Sequence, residues 1–149
     1  MRVYEYHHIV SFEETNILGN VYFTNFFLWQ GTCREMFLRD FVPEVVRDLS
    51  GDFYLVTSRS SCDFYSEAYV FDEIVVRMSL LQLSQSRITM GFDYVRVKDG
   101  KPARPQSGGE ELLARGEQQV VCMRRHGGKV EVAEVPPNML RALKEYQES

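Results

Sequence analysis

Between Ser11 and Phe41 the chain gathers the residues best suited to do chemistry: Glu13, Glu14, Asn16, Gly19, Gln30 and Arg34, among many aromatic residues. Residues 13–19 are polar, carry the turn formers Asn16 and Gly19, and lead into a segment with helical spacing. At a helix start the first backbone N–H groups lack intrahelical partners and the dipole favours negative charge. An ester or thioester carbonyl held there, near Phe23, meets donors ready for a developing oxyanion. Gly19 could let backbone approach a ligand closely. A capped loop without any chemistry accounts for the same residues, and capped loops are the commoner arrangement.

On a helix the near neighbours of Arg34 are Gln30, Gly31, Phe37 and Leu38, with Phe27 two turns back. A guanidinium in that company keeps its charge, so it requires a carboxylate partner or a ligand carbonyl. Glu13, Glu14 or an acid from a second subunit could serve as that partner. The two glutamates are also candidate bases, although solvated loop acids are more common. Glu35 is expected to pair with Arg39, worth about 0.3–0.5 kcal/mol. His7 and His8 fall on opposite faces of a strand and read as structural, while His126 sits in a turn. No serine lies in the strand–turn–helix elbow of a hydrolase triad.

The elements that must position these groups follow from periodicity. Residues 3–12 alternate as a strand. A helix follows from a cap at Thr24 or Asn25 to about Asp40, with Phe26, Trp29, Cys33, Phe37 and Phe41 on its core stripe. A short second helix fits after Pro43. Residues 53–65, 71–83, 86–97 and 111–125 read as long strands, followed by a short one over 130–135 and a terminal helix over 138–147. The connection over residues 101–109 is Pro/Gly-rich and expected to be mobile. One buried helix against one curved antiparallel sheet is a two-layer α+β domain, taken as one unit over residues 1–149. Such a sheet leaves edges that recruit another copy, so a dimer is expected.

Of the 149 residues 44% are hydrophobic and 26% charged, with net charge −4, a globular balance that argues against a nucleic-acid grip. Cys33, Cys62 and Cys122 are odd in number and lack CxxC spacing, which suggests buried thiols in a reducing cytoplasm and no metal site. The N-terminus has no signal-peptide pattern, and no apolar run is long enough to span a membrane.

The pattern Phe12-x-x-x-Asn16-x-x-Gly19-x-Val21-Tyr22-Phe23-x-Asn25-Phe26 resembles the active-site signature of hotdog-fold thioesterases of the 4-hydroxybenzoyl-CoA type. The resemblance continues through Leu55, Asp63-Phe64, Leu113-Ala114-Arg115-Gly116 and Val135-Pro136. Glu13-Glu14-Thr15-Asn16 and Trp29-Gln30-Gly31-x-Cys33-Arg34-Glu35-Met36-Phe37 look like the stand-alone thioesterases that accompany iterative enediyne polyketide synthases.

This resemblance implies a long central helix wrapped by sheet, in a homotetramer built as a dimer of dimers with sites at dimer interfaces. The implied substrate is a polyunsaturated β-ketoacyl chain on an acyl carrier protein, released as a linear polyene acid or methyl ketone without cofactor or metal. Asn16 and Arg34 would be the catalytic pair, and Phe23 and Gly19 the backbone oxyanion site. Tyr22, Phe26, Phe27 and Gln30 would line the acyl chain. The wider family carries a carboxylate where this chain has Asn16, and an amide cannot take over as base. Phe26 stands where the enediyne branch often has tyrosine. Two alternatives stay open: a broad acyl-CoA thioesterase with Glu13 or Glu14 as base, and a non-catalytic acyl-binding module. A basic rim of Arg59, Arg77, Arg87, Arg96 and Lys98 would suit an acidic carrier protein, although ordinary strand solubility explains it too.

Overall fold

A computed structural model describes residues 2–98, 101–102 and 111–147. Strand β1 (Tyr4–Ile9) alternates half-buried and exposed side chains, as its sequence predicts. It ends sooner than the apolar alternation suggests, because the chain turns into a 3-10 segment at Phe12–Glu14. Helices α1 (Thr24–Phe41) and α2 (Pro43–Asp48) follow, then strands β2 (Phe53–Phe64), β3 (Glu73–Leu83) and β4 (Arg87–Lys98). A two-residue strand β5 (Lys101–Pro102) turns back on β4. Strands β6 (Glu111–His126) and β7 (Lys129–Val132) and helix α3 (Pro137–Lys144) complete the order.

All strand pairs are antiparallel, in the order β1-β3-β4-β6-β2, with β7 added to β6. The sheet curves around α1 as a half-barrel, which is the α+β architecture expected. Phe26, Trp29, Cys33 and Phe37 of α1 are buried against Ile74, Val76, Met78, Tyr94 and Leu113 of the sheet. Burying such side chains contributes about 1.5–3 kcal/mol each before ordering costs. The Tyr94 hydroxyl donates to the Phe26 carbonyl at 2.7 Å, pinning the first turn of α1 to β4.

Several local expectations are corrected. Neither Thr24 nor Asn25 caps α1. Phe23 occupies that position with helical backbone and no side-chain bond, while the Asn25 amide donates backwards to the Glu14 and Tyr22 carbonyls. Phe41 is 46% exposed, so the core stripe ends one turn earlier, at Phe37 and Leu38. Arg39 pairs with Asp40 at 2.9 Å and not with Glu35. The terminal helix begins at Pro137 and stops at Lys144, and β7 ends at Val132. Most of the Pro/Gly-rich connection, residues 103–109, lies outside the described residues. Among the described residues no helix is long and apolar enough to cross a membrane, and no His/Cys/Asp/Glu group is arranged to hold a metal.

Candidate active site

The Asn16 loop is a tight hairpin. The Asn16 N–H donates to the Asn20 carbonyl, and the Gly19 N–H donates to the Asn16 carbonyl, both at 2.9 Å. Gly19 has φ +86° with open space where a Cβ would stand, so it serves the left-handed turn position and leaves that side of its backbone uncovered by other protein atoms. The stem is bridged at Thr15 and Val21, and its outer side pairs with the segment before β3. Val21 donates to the Ala68 carbonyl at 2.7 Å and Val70 to the Gly19 carbonyl at 3.3 Å.

Glu14 anchors this loop from below. Its carboxylate accepts from the Ser11 N–H at 2.9 Å, His8 Nε2 at 2.8 Å and the Trp29 indole at 2.8 Å. A carboxylate only accepts, so His8 Nε2 is the donor in that contact, and Nδ1 faces the Tyr6 hydroxyl at 2.9 Å. Burial acts to raise the Glu14 carboxyl, but these hydrogen bonds together outweigh it and hold the group below its ordinary value. Glu14 is thus fully engaged in structure and does not touch Arg34, while Glu13 beside it is exposed.

Above the loop lies a cleft of about 380 Å³. Asn16, Tyr22, Phe23 and Phe26 line it, as do Phe64 at the end of β2 and Tyr65 just after it. The Phe64 ring sits 6.3 Å from Phe23, 5.2 Å from Phe26 and 6.4 Å from Phe27. Phe27 itself is no wall of the cleft. Among the described residues the N–H groups of Phe23 and Thr24 meet no acceptor, as oxyanion donors require. Asn20, Ser66 and Glu67 also line the cleft, and spacing in sequence gave no reason to join residues 64–67 to Asn16. The resemblance at Asp63-Phe64 was the one available signal.

The other two expected residues are elsewhere. Gln30 is completely buried, with its amide donating to the Ser61 carbonyl at 3.0 Å and accepting from the Ser60 hydroxyl at 2.9 Å. A Cβ on Gly116 would stand 2.3 Å from that amide nitrogen, so this fit needs glycine. Arg34 donates through Nη1 to Gln118 Oε1 at 2.8 Å and to Thr57 Oγ at 3.2 Å. Its Nε is buried without a partner, and no carboxylate of the described residues pairs with it. Burial lowers the guanidinium from its ordinary value, partly opposed by Glu35. Phe23 and Arg34 are eleven helical steps apart, about 16 Å along the axis. Within one chain, therefore, Arg34 does not reach the Asn16 cleft.

A larger depression of about 680 Å³ lies across the sheet face turned away from α1 and holds none of the predicted site residues. There Glu5, Arg77, Asp93, Arg115 and Asp63 are successive register partners across five strands. Arg77 pairs with Glu5, and Arg96 with Asp72 and Glu111, so the expected basic rim is interleaved with acids.

Residues 10–143 match the family described as the thioesterase-like superfamily. The chain belongs to that superfamily. This thioesterase-like chain superposes on the dynemicin thioesterase, studied for induced-fit and allosteric effects upon polyene binding, with TM-score 0.90. The two are 47% identical over 99% of each chain. A 1,4-dihydroxy-2-naphthoyl-CoA thioesterase from Synechocystis shares the fold at TM-score 0.77 and 22% identity, covering 99% of this chain and 100% of that one. A mutant 4-hydroxybenzoyl CoA thioesterase complexed with 4-hydroxybenzoyl CoA does so at TM-score 0.78 and 14% identity, covering 96% and 99%. No protein of curated function matches the chain in sequence. The protein is a thioester hydrolase of hotdog fold, related to enediyne thioesterases.

Proposed function

We propose that this thioesterase releases a polyunsaturated β-ketoacyl chain from the acyl carrier protein of an iterative polyketide synthase, as a linear polyene acid or, after loss of carbon dioxide, a methyl ketone. The observation that carries the reading is the ring-lined cleft beside free amide donors, in a chain 47% identical to a thioesterase studied for polyene binding. Flat rings from Tyr22, Phe23, Phe26, Phe64 and Tyr65 suit a conjugated chain. The Phe23 and Thr24 N–H groups would bind the thioester oxygen, and Asn16 would orient the attacking water.

Arg34 would act across a dimer interface. The outer edge of β2 has no partner among the described residues, and Val56, Thr57, Ser58 and Ser60 on it are exposed. Two copies joined antiparallel along that edge bring the Thr57 end of one strand toward the Phe64 end of the other. The Arg34 held by Thr57 would then face the partner's cleft with its charge uncompensated, available to the developing oxyanion. Two such dimers would make the tetramer. Three reduced thiols suit a cytoplasmic setting.

The test is thiol release from a β-ketoacyl polyene loaded on its carrier protein, for wild type beside Arg34→Ala. Release by wild type, reduced about 10²–10³-fold in the variant, is expected. Equal release by both would sink the role given to Arg34. Faster turnover of saturated acyl-CoAs than of the carrier-bound polyene would sink the substrate.

A further inference from the structure

We propose that Glu67 is the general base of this hydrolysis, supplying the carboxylate that position 16 lacks. The assignment rests on the thioesterase reading above and names the group that reading leaves open. Among the described residues Glu67 is the one carboxylate lining the cleft that Asn16 and Phe23 share. Glu13 does not line it, and the Glu14 oxygens are taken by Ser11, His8 and Trp29.

The Glu67 side chain is held at one oxygen only. Asn20 Nδ2 donates to Oε2 at 3.1 Å, while no protein donor of the described residues meets Oε1. The Asn20 amide keeps this orientation although its own Oδ1 is then buried without a partner. A flipped amide would set that oxygen against the carboxylate, so the bond to Glu67 fixes which way Asn20 points. The backbone beneath is pinned as well. The Arg96 guanidinium donates to the Glu67 carbonyl, Ala68 accepts from Val21, and Tyr69 bridges to Asn20. The charged groups facing this segment are Arg96 with its partners Asp72 and Glu111, and the titratable hydroxyls of Tyr22 and Tyr65 line the same cleft.

In the proposed step the free Glu67 oxygen takes a proton from water as the water oxygen bonds to the thioester carbonyl carbon. The C–S bond then breaks, the thiolate leaves, and Glu67 returns the proton to it. Acid and thiol are the products, and the carboxylate is regenerated.

Single-turnover thiol release from the carrier-bound β-ketoacyl polyene tests this with Glu67→Gln, Glu67→Ala and Asn20→Ala. The expected results are a loss of about 10²–10⁴-fold in rate for both Glu67 variants with KM little changed, and a smaller loss for Asn20→Ala. Added formate should restore at least about tenfold to Glu67→Ala and nothing to Arg34→Ala, a rescue that a structural defect would not show. Glu67→Gln turning over within about threefold of wild type overturns the proposal, as does a slow Glu67→Ala that formate leaves slow. Wild-type protein that releases no thiol overturns the thioesterase reading itself and this base with it, which separates the two failures.

Discussion

The Trp29 indole and the Glu14 carboxylate stand fifteen residues apart in the chain and 2.8 Å apart in the fold. This contact ties the middle of the buried helix to the base of the Asn16 loop. Glu14→Gln keeps the shape but loses the charge shared by donors from three residues, Ser11, His8 and Trp29, and is expected to cost about 1.5–3 kcal/mol in urea unfolding. Hydrogen bonding holds the native Glu14 carboxyl below its ordinary value of 4.5 despite the opposing pull of burial. Its contribution is therefore complete above about pH 4.5 and lost as pH falls through the native value. Wild type and variant should differ at neutral pH and converge in acid.

Gly116→Ala tests the seat of the Gln30 amide. The added methyl would meet Gln30 Nε2 at 2.3 Å and the Ser61 carbonyl at 2.8 Å. Overpacking of about 1–3 kcal/mol is expected in thermal or urea unfolding. A second change, Gln30→Ala, should not restore stability, because the Ser61 backbone still collides.

Gln118→Glu separates the charge of Arg34 from its position. The amide oxygen now 2.8 Å from Nη1 would become a carboxylate of similar shape. An ion pair there should preserve the melting temperature while cancelling the field that Arg34 presents to substrate. Turnover is expected to fall by about tenfold or more with unchanged folding, measured as thiol release beside a thermal melt.

The thiols should stay silent in that assay. Burial pushes Cys62 up to about 12 and Cys122 up to about 11, and raises Cys33 further. At pH 8 about one Cys122 in a thousand is then thiolate, the form that reacts. Native protein mixed with a thiol-reactive chromophore should show slow labelling, and denatured protein prompt labelling of all three.

The sequence made the architecture readable where one face of an element is buried. The spacing of Phe26, Trp29, Cys33 and Phe37 announced α1, and alternation announced the strands. Local chemistry misled at the helix start, where Asn25 had the right type for a cap but found better acceptors in the Glu14 and Tyr22 carbonyls. Phe41 continued the stripe in sequence and left it in space, since α1 outruns the core there.

The site was readable in part. Asn16, Tyr22, Phe23 and Phe26 share a cleft because all lie in one turn-and-helix segment, where short-range rules hold. Gln30 and Arg34 follow the same helix away from that cleft, and their partners Ser61, Thr57 and Gln118 come from strands joined to them only by tertiary pairing. Glu14 resembled any loop acid until His8 and Trp29 were beside it. Glu67 gave no signal at all, since its segment is brought to the loop by tertiary bonds, from Val21 and Asn20 and between Val70 and Gly19.

Those bonds also decide how the cleft accommodates molecules of different shape. The Asn16 hairpin is fastened to residues 68–70 on one side and to Glu14 on the other, so its bonded amides, those of Asn16, Gly19 and Val21, should exchange with solvent slowly. The rings of Tyr22, Phe23 and Tyr65 are half or more exposed. Exposed side chains turn over picoseconds to nanoseconds, far faster than a fastened loop can open. Adaptation to an incoming chain then falls to swivelling rings on a stationary frame, and substrate choice becomes a matter of which ring poses a given chain can hold still.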